Sequence, residues 1–192
     1  LRFLRDALER RQADGDERSI ALSLNNLGLV YQDSGRYQEA VECLVRARDL
    51  RRKVDDRPGL VITLNNLGTI YSDRGEDREA IALWLQALEL ARDIGDRRRQ
   101  AVLQLNIGEA QYRQRNADEA LRILLEVEPL CHELGDRILL AEARRALGKA
   151  HFLRGDIATA LRYLEQAVEG FEQVRSKVHL GIAQRSLAEV LA

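Results

Sequence analysis

Leu27-Gly28-Leu29-Val30-Tyr31-Gln32-Asp33-Ser34-Gly35-Arg36-Tyr37-Gln38-Glu39-Ala40 returns 40 residues later as LGTIYSDRGEDREA over 67–80. Fainter copies keep the register. Ile107-Gly108 and Leu147-Gly148 continue the opening pair, Leu187-Ala188 is a faded last copy, and Ala40, Ala80, Ala120 and Ala160 form a second series in phase with it. A strict period within roughly 20–50 residues marks stacked supersecondary units, each too small to bury its apolar face alone.

Within one unit the spacing predicts a helical hairpin. Ile20, Leu24, Leu27 and Tyr31 share one stripe of a helix running from about Arg18 to Ser34. Gly35 ends it, as Gly75 and Gly155 do elsewhere, because glycine accepts the left-handed conformation of a helix C-terminus; in the third copy Asn116 lies next to that position. A second stripe from about Tyr37 runs through Ala40, Val41, Leu44, Ala47 and Leu50. Between units stand Asp55-Asp56-Arg57, Gly95-Asp96-Arg97 and Gly135-Asp136-Arg137, a helix terminator followed by an aspartate suited to capping the next helix. Pro58 suits a first helical turn, whereas Pro129 inside a second helix predicts a kink or an early end, since a mid-helix proline costs ~3 kcal/mol. Gly28 and Ala40 let the two helices of a hairpin approach toward the short end of the usual ~8–10 Å range. Trp84 takes a slot that is Leu44, Leu124 and Leu164 in the other copies, and so reads as core.

The register divides the chain into a half unit over 1–14, repeats over 15–55, 56–95, 96–135 and 136–175, and a half unit over 176–192. Both ends break mid-unit and the chain contains no Met, which suggests a segment of a longer protein. The terminal helices should then present apolar residues such as Phe3, Leu4 and Leu8, a route to homo-oligomers.

Composition narrows the function. The formal net charge is -1, so no overall field favours nucleic acid or an anionic membrane. No apolar run reaches the ~20 residues needed to cross a bilayer, and LRFLRDALER is too charged for a signal peptide, so a cytoplasmic protein is expected. Arg97-Arg98-Arg99 is flanked by Asp93 and Asp96 and has no aromatic stacking platform, which speaks against nucleic acid. His132, His151 and His179 are scattered, Cys43 and Cys131 occupy different positions of their units, and Leu147-Gly148-Lys149 lacks the rest of a phosphate loop. No catalytic residue, metal site or cofactor is expected, and both thiols should be reduced.

The pattern L-G-x-x-Y-x-x-x-G-x-x-x-x-A resembles the tetratricopeptide repeat (TPR), in a 40-residue form similar to Pins-type adaptors, kinesin light chains and bacterial signal-transducing ATPase regulators. The usual period is about 34 with a closing proline, so longer helices are expected here. The resemblance implies an all-α fold, a right-handed solenoid of antiparallel hairpins, and a noncatalytic scaffold binding a protein or peptide segment in a concave groove. An alternative is the regulatory or sensor arm of a larger signalling or transcription regulator. An excess of 27 Arg over three Lys fits a bacterial source of high GC content.

First helices line the groove in that family, and the resemblance directs Asn26, Asn66 and Asn106 into it, with Asn25, Asn65 and Thr69 alongside. Each asparagine amide offers an acceptor and two donors, matching a peptide backbone whatever its side chains. With first helices about 10 Å apart and roughly 3.3 Å per extended residue, one asparagine serves about every third residue of a bound segment. Beyond Asn106 the series stops at Ala146 and Ser186, while Arg145 and Lys149, with Arg113 beside them and Glu109 opposing, bring charge suited to a carboxylate. The family's carboxylate clamp is not expected, because Asn25 and Leu29 stand where its first Lys and Asn belong.

Overall fold

The computed structural model describes residues 8–13 and 15–192. A helical segment α1 (8–13) is followed by α2 (Glu17–Asp33), α3 (Tyr37–Lys53), α4 (Arg57–Asp73), α5 (Asp77–Asp93), α6 (Arg97–Arg113), α7 (Ala117–Glu133), α8 (Arg137–Arg154), α9 (Ile157–Gln173) and α10 (Lys177–Leu191). The described residues contain no strand. Helices α2 and α3 are 17 residues each, so paired helices fill most of the 40-residue period.

Helices pack with their sequence neighbours in two compact units, Leu1–Asp96 and Arg97–Ala192. In the first, α2 packs on α3, α3 on α4 and α4 on α5, with α2 also touching α4. In the second, α6 packs on α7, α7 on α8, α8 on α9 and α9 on α10, with α6 touching α8 and α8 touching α10. Each unit is a stretch of α-solenoid built from antiparallel hairpins, in which first helices lie beside first helices.

Glycines close the hairpins. A Cβ on Gly28 would stand 2.8 Å from Leu44 Cγ, one on Gly108 2.7 Å from Leu124 Cδ2, and one on Gly148 2.6 Å from Leu164 Cγ. At Gly68 the indole of Trp84 would be met at 2.5 Å. Trp84 is 3% exposed and donates its Nε1–H to the Asn65 carbonyl at 3.1 Å, so it is a core residue with its polar atom satisfied.

The turns keep one geometry whichever residue supplies it. After α2, Arg36 N–H reaches back to the Tyr31 carbonyl at 2.8 Å across Gly35, whose φ is 72°. The same bond joins Asn116 to Gln111 at 2.9 Å, but the left-handed residue is Arg115 at φ 66°. Asn116 does not take the glycine's place; it precedes α7 at φ -90°. Asp55 and Arg175 adopt left-handed conformations too, at φ 49° and 55°. Packing of the flanking helices imposes the turn against local preference. Asp56 and Asp136 cap as expected, accepting from Gly59 and Leu139 N–H, and Asp16 and Asp156 cap too, accepting from Arg18 and Ser19 N–H and from Thr159 N–H.

Two points need correction. Of the two outcomes expected at Pro129, a kink or an early end, the early end does not occur, because α7 runs to Glu133 and keeps 17 residues. Pro129 is exposed, so the hydrogen bond it removes lies toward water, where the freed carbonyl can be solvated. Leu8 is not on a bare apolar face; it is 8% exposed and belongs to the core with Leu24, Leu27 and Leu44. Phe3 and Leu4 lie outside the described residues.

Two stability outcomes follow. Gly68→Ala should destabilise by about 1–3 kcal/mol through overpacking against Trp84, read as a lower midpoint in urea. Arg115→Gly should raise that midpoint, through a stabilisation of about 1 kcal/mol, since it relieves a left-handed non-glycine residue.

Candidate binding faces of the first helices

In the first unit the expected asparagines behave unequally. Asn26 is exposed on α2. Asn25, its neighbour, is 4% exposed and accepts from Asn66 Nδ2 on α4 at 3.2 Å. Asn66 and Asn65 are half-buried, and the Asn65 carbonyl takes both the Trp84 indole N–H and the Thr69 hydroxyl, the latter at 3.1 Å. Thr69 therefore spends its donor on its own helix. The structure brings Asn25 and Asn66 together and leaves Asn26 to solvent.

Beneath this face lies a polar chain that sequence reasoning missed. Arg51 on α3 is 4% exposed, and its Nη1 donates to the Gly59 carbonyl and, at 2.6 Å, to Thr63 Oγ1. The Thr63 hydroxyl in turn lies 3.4 Å from Asn25 Oδ1. Burial pushes the Arg51 pKa down, and the Asp56 carboxylate 3.7 Å away opposes that shift. A Cβ at position 59 would strike the Asp56 carboxylate and come 2.8 Å from Arg51 Nε, so Gly59 makes room for the guanidinium. An outer copy exists, in which Arg11 donates to the Ser19 carbonyl and Ser23 Oγ. The missed signal was the 40-residue pairing of Arg11 and Arg51 with Ser23 and Thr63.

In the second unit the face is charged and alternates in sign. Arg145 on α8 pairs with Glu109 on α6, both largely shielded from solvent. Lys149, one turn further along α8, holds its ammonium 4.4 Å above the Tyr112 ring. Burial lowers its pKa, Glu109 and Glu189 oppose this, and Arg145 and Arg113 add to it. Asn106 is half-buried on α6, and Arg113 is exposed near its end. Glu142 and His179 were not among the expected groove residues. His179 sits in the first turn of α10 with Nε2 3.2 Å from Glu142 Oε1, and its ring stacks on Phe171 at 5.3 Å. Burial raises the Glu142 pKa; His179 and Arg145 oppose this, while Glu109 and Asp136 reinforce it.

The remaining candidates are structural. His151 is 7% exposed, stacks on Tyr163 at 5.5 Å and lies 3.3 Å from Asp156. Cys131 is buried and its thiol is pushed up to about 12, largely by burial. A hollow of about 270 Å³ between α7, α8 and α9 is lined by Cys131, His132, Leu140, Arg144 and Gly170, and by none of the expected groove residues. Among the described residues no group of three or more His, Cys, Asp or Glu could hold a metal, and no helix is long and apolar enough to cross a membrane.

Hairpins repeating at 40 residues, each closed by a glycine and presenting polar first-helix faces, match the tetratricopeptide repeat model over residues 1–53, 19–93 and 99–173. The chain belongs to the tetratricopeptide repeat family. No curated protein matches it significantly. Among solved structures, the TPR-like repeats of a kinesin light chain-like protein from Podosopora anserina are 22% identical, with a TM-score of 0.70 over 88% of this chain and 83% of that one. A signal transduction ATPase with numerous domains (STAND) and a tetratricopeptide repeat sensor, from Pyrococcus horikoshii, is 19% identical, with a TM-score of 0.81 over 91% of this chain and 27% of that one. A Rap protein complexed with Competence and Sporulation Factor is 18% identical, with a TM-score of 0.79 over 91% of this chain and 48% of that one. These likenesses are in fold. A tetratricopeptide repeat architecture is consistent with a protein–protein interaction scaffold.

Because the Glu142 pKa is raised in the folded state, the folded chain holds this proton more tightly than the unfolded chain, and Glu142 lowers stability as pH rises above the ordinary value of 4.5. Glu142→Gln should therefore stabilise the chain at neutral pH, with the gain vanishing below that value. Chemical denaturation of both proteins across that range measures it.

Proposed function

We propose that this tetratricopeptide repeat chain is a noncatalytic scaffold that binds an extended peptide or partner segment along the first-helix faces of its units. The Asn25–Asn66 pair carries this reading, because it holds a half-buried amide on that face instead of leaving it to solvent. An amide so placed can meet the C=O and N–H of any extended backbone. Glu109, Arg145 and Lys149 supply charged contacts on the equivalent face of the second unit, where Asn106 also stands. The Rap protein complexed with Competence and Sporulation Factor shows that this fold occurs in a protein that holds such a factor, and binding by this chain is our inference from it.

A library of short random peptides displayed on phage and panned on the 192-residue chain tests the reading. Asn66→Ala should weaken a selected peptide by about 5–10-fold, the worth of one hydrogen bond, in a chain that still melts cooperatively. Equal affinity for the wild type and Asn66→Ala would remove the amide from the binding face.

A further inference from the structure

Arg51, Thr63, Asn25 and Asn66 form one connected chain of hydrogen bonds across three helices of the first unit. Arg51 Nη1 donates to Thr63 Oγ1 at 2.6 Å and to the Gly59 carbonyl. The Thr63 hydroxyl then has a single proton, shared between Asn25 Oδ1 at 3.4 Å and the Gly59 carbonyl at 3.3 Å. Asn66 Nδ2 donates to the same Asn25 oxygen at 3.2 Å.

A guanidinium can only donate, so Thr63 gives one lone pair to Arg51 and keeps its proton for an acceptor. The Asn25 oxygen lies 3.4 Å from the Thr63 hydroxyl and 3.2 Å from the Asn66 amide nitrogen, and accepts from both. That oxygen also fixes Asn66, which must meet it nitrogen first and keep its own oxygen on the far side of the amide. A flipped Asn25 would set its NH₂ against the NH₂ of Asn66 and lose that bond, while the Thr63 hydroxyl would keep only the Gly59 carbonyl as acceptor.

The second unit supplies an independent observation. Eighty residues on, the same four positions are Cys131, Ala143, Leu105 and Ala146, all buried and all lacking a strong hydrogen-bonding side chain. At the intervening register Asn65 and Asn106 stand with Ala91 and Leu103, so only the first unit joins the asparagine pair to a buried guanidinium and hydroxyl.

We propose that Asn25 is a positioning residue for Asn66, and that the relay from Arg51 fixes Asn66 to offer an acceptor oxygen, which takes a backbone N–H of an extended peptide segment. This rests on the binding-face reading above. Asn25 does not touch the ligand; it decides which atom of Asn66 does. Asn26, exposed and outside the relay, offers no such preference.

The test has two arms. In the free, ¹⁵N-labelled chain, the Asn66 side-chain amide should exchange with solvent about 10-fold more slowly than that of Asn26, the protection given by one hydrogen bond. Asn25→Leu should abolish the difference, and Asn25→Asp, whose carboxylate accepts both bonds, should keep it. Thr63→Val, which keeps shape and lets Asn25 flip, should also abolish it, and it replaces Asn25→Leu if that variant fails to fold. In the second arm, with a peptide selected from the displayed library, Asn25→Leu should weaken binding as much as Asn66→Ala, about 5–10-fold, and the double variant should bind no more weakly than either single one. Unchanged Asn66 exchange in folded Asn25→Leu overturns the relay. Full peptide affinity in Asn25→Leu while Asn66→Ala loses it overturns the positioning role. Loss of amide protection with no effect of Asn66→Ala on any selected peptide supports the relay and overturns the binding-face reading instead.

Discussion

Each hairpin closes where the backbone of a first-helix glycine meets a bulky side chain of the second helix. Gly28 against Leu44, Gly68 against Trp84, Gly108 against Leu124 and Gly148 against Leu164 leave no room for a Cβ. Glycine inside a helix costs about 1 kcal/mol relative to alanine, whereas burying a leucine side chain gains roughly 1.5–3 kcal/mol, so the pair is favourable only as a pair. The contact also sets the register of one helix against the other. With that register fixed, the side chains one to three residues before each glycine fall at the same height on the first helices within a unit, which gives each unit a reproducible face to vary.

The periodic features of the fold were legible because they answer to local rules. Stripes, caps and glycine turns each follow from a few neighbouring residues, and the helix bounds fall within a residue or two of the spacing that implied them. What escaped depends on partners in another helix. Arg115 reads as an ordinary surface residue, yet the turn between α6 and α7 forces it left-handed because its neighbours demand the same reverse bond that Gly35 supports. Glu142 and His179 carry no motif; they meet only because α10 lies beside α8. Arg51 looked like one more charge in an arginine-rich chain, and its burial depends on Gly59 vacating space in the next helix.

Charge on the second unit's face is likewise a product of packing. Sequence suggests a basic patch from Arg145 and Lys149 with Glu109 opposing; Glu109 pairs with Arg145, and Glu109 and Glu189 both act on the Lys149 ammonium against the effect of burial. Lys149 meets an aromatic ring as well as opposing acids. A face of alternating sign discriminates by charge order more than by net charge, since a ligand that displaces one internal pair must replace both of its members.

The two units put different solutions at one register, and the difference separates folding from function. Cys131, Ala143, Leu105 and Ala146 occupy the places of Arg51, Thr63, Asn25 and Asn66, and helices α7 and α8 form as completely as α3 and α4 do. Hairpin stacking thus has no need of a buried guanidinium. Burying one is costly even when paired, and Arg51 keeps a buried Nε without a hydrogen-bond partner. The hydrogen bonds that start at Arg51 end at the half-buried amide of Asn66, the group on which the proposed binding face turns, so the test of that face is also the test of why a guanidinium is buried here.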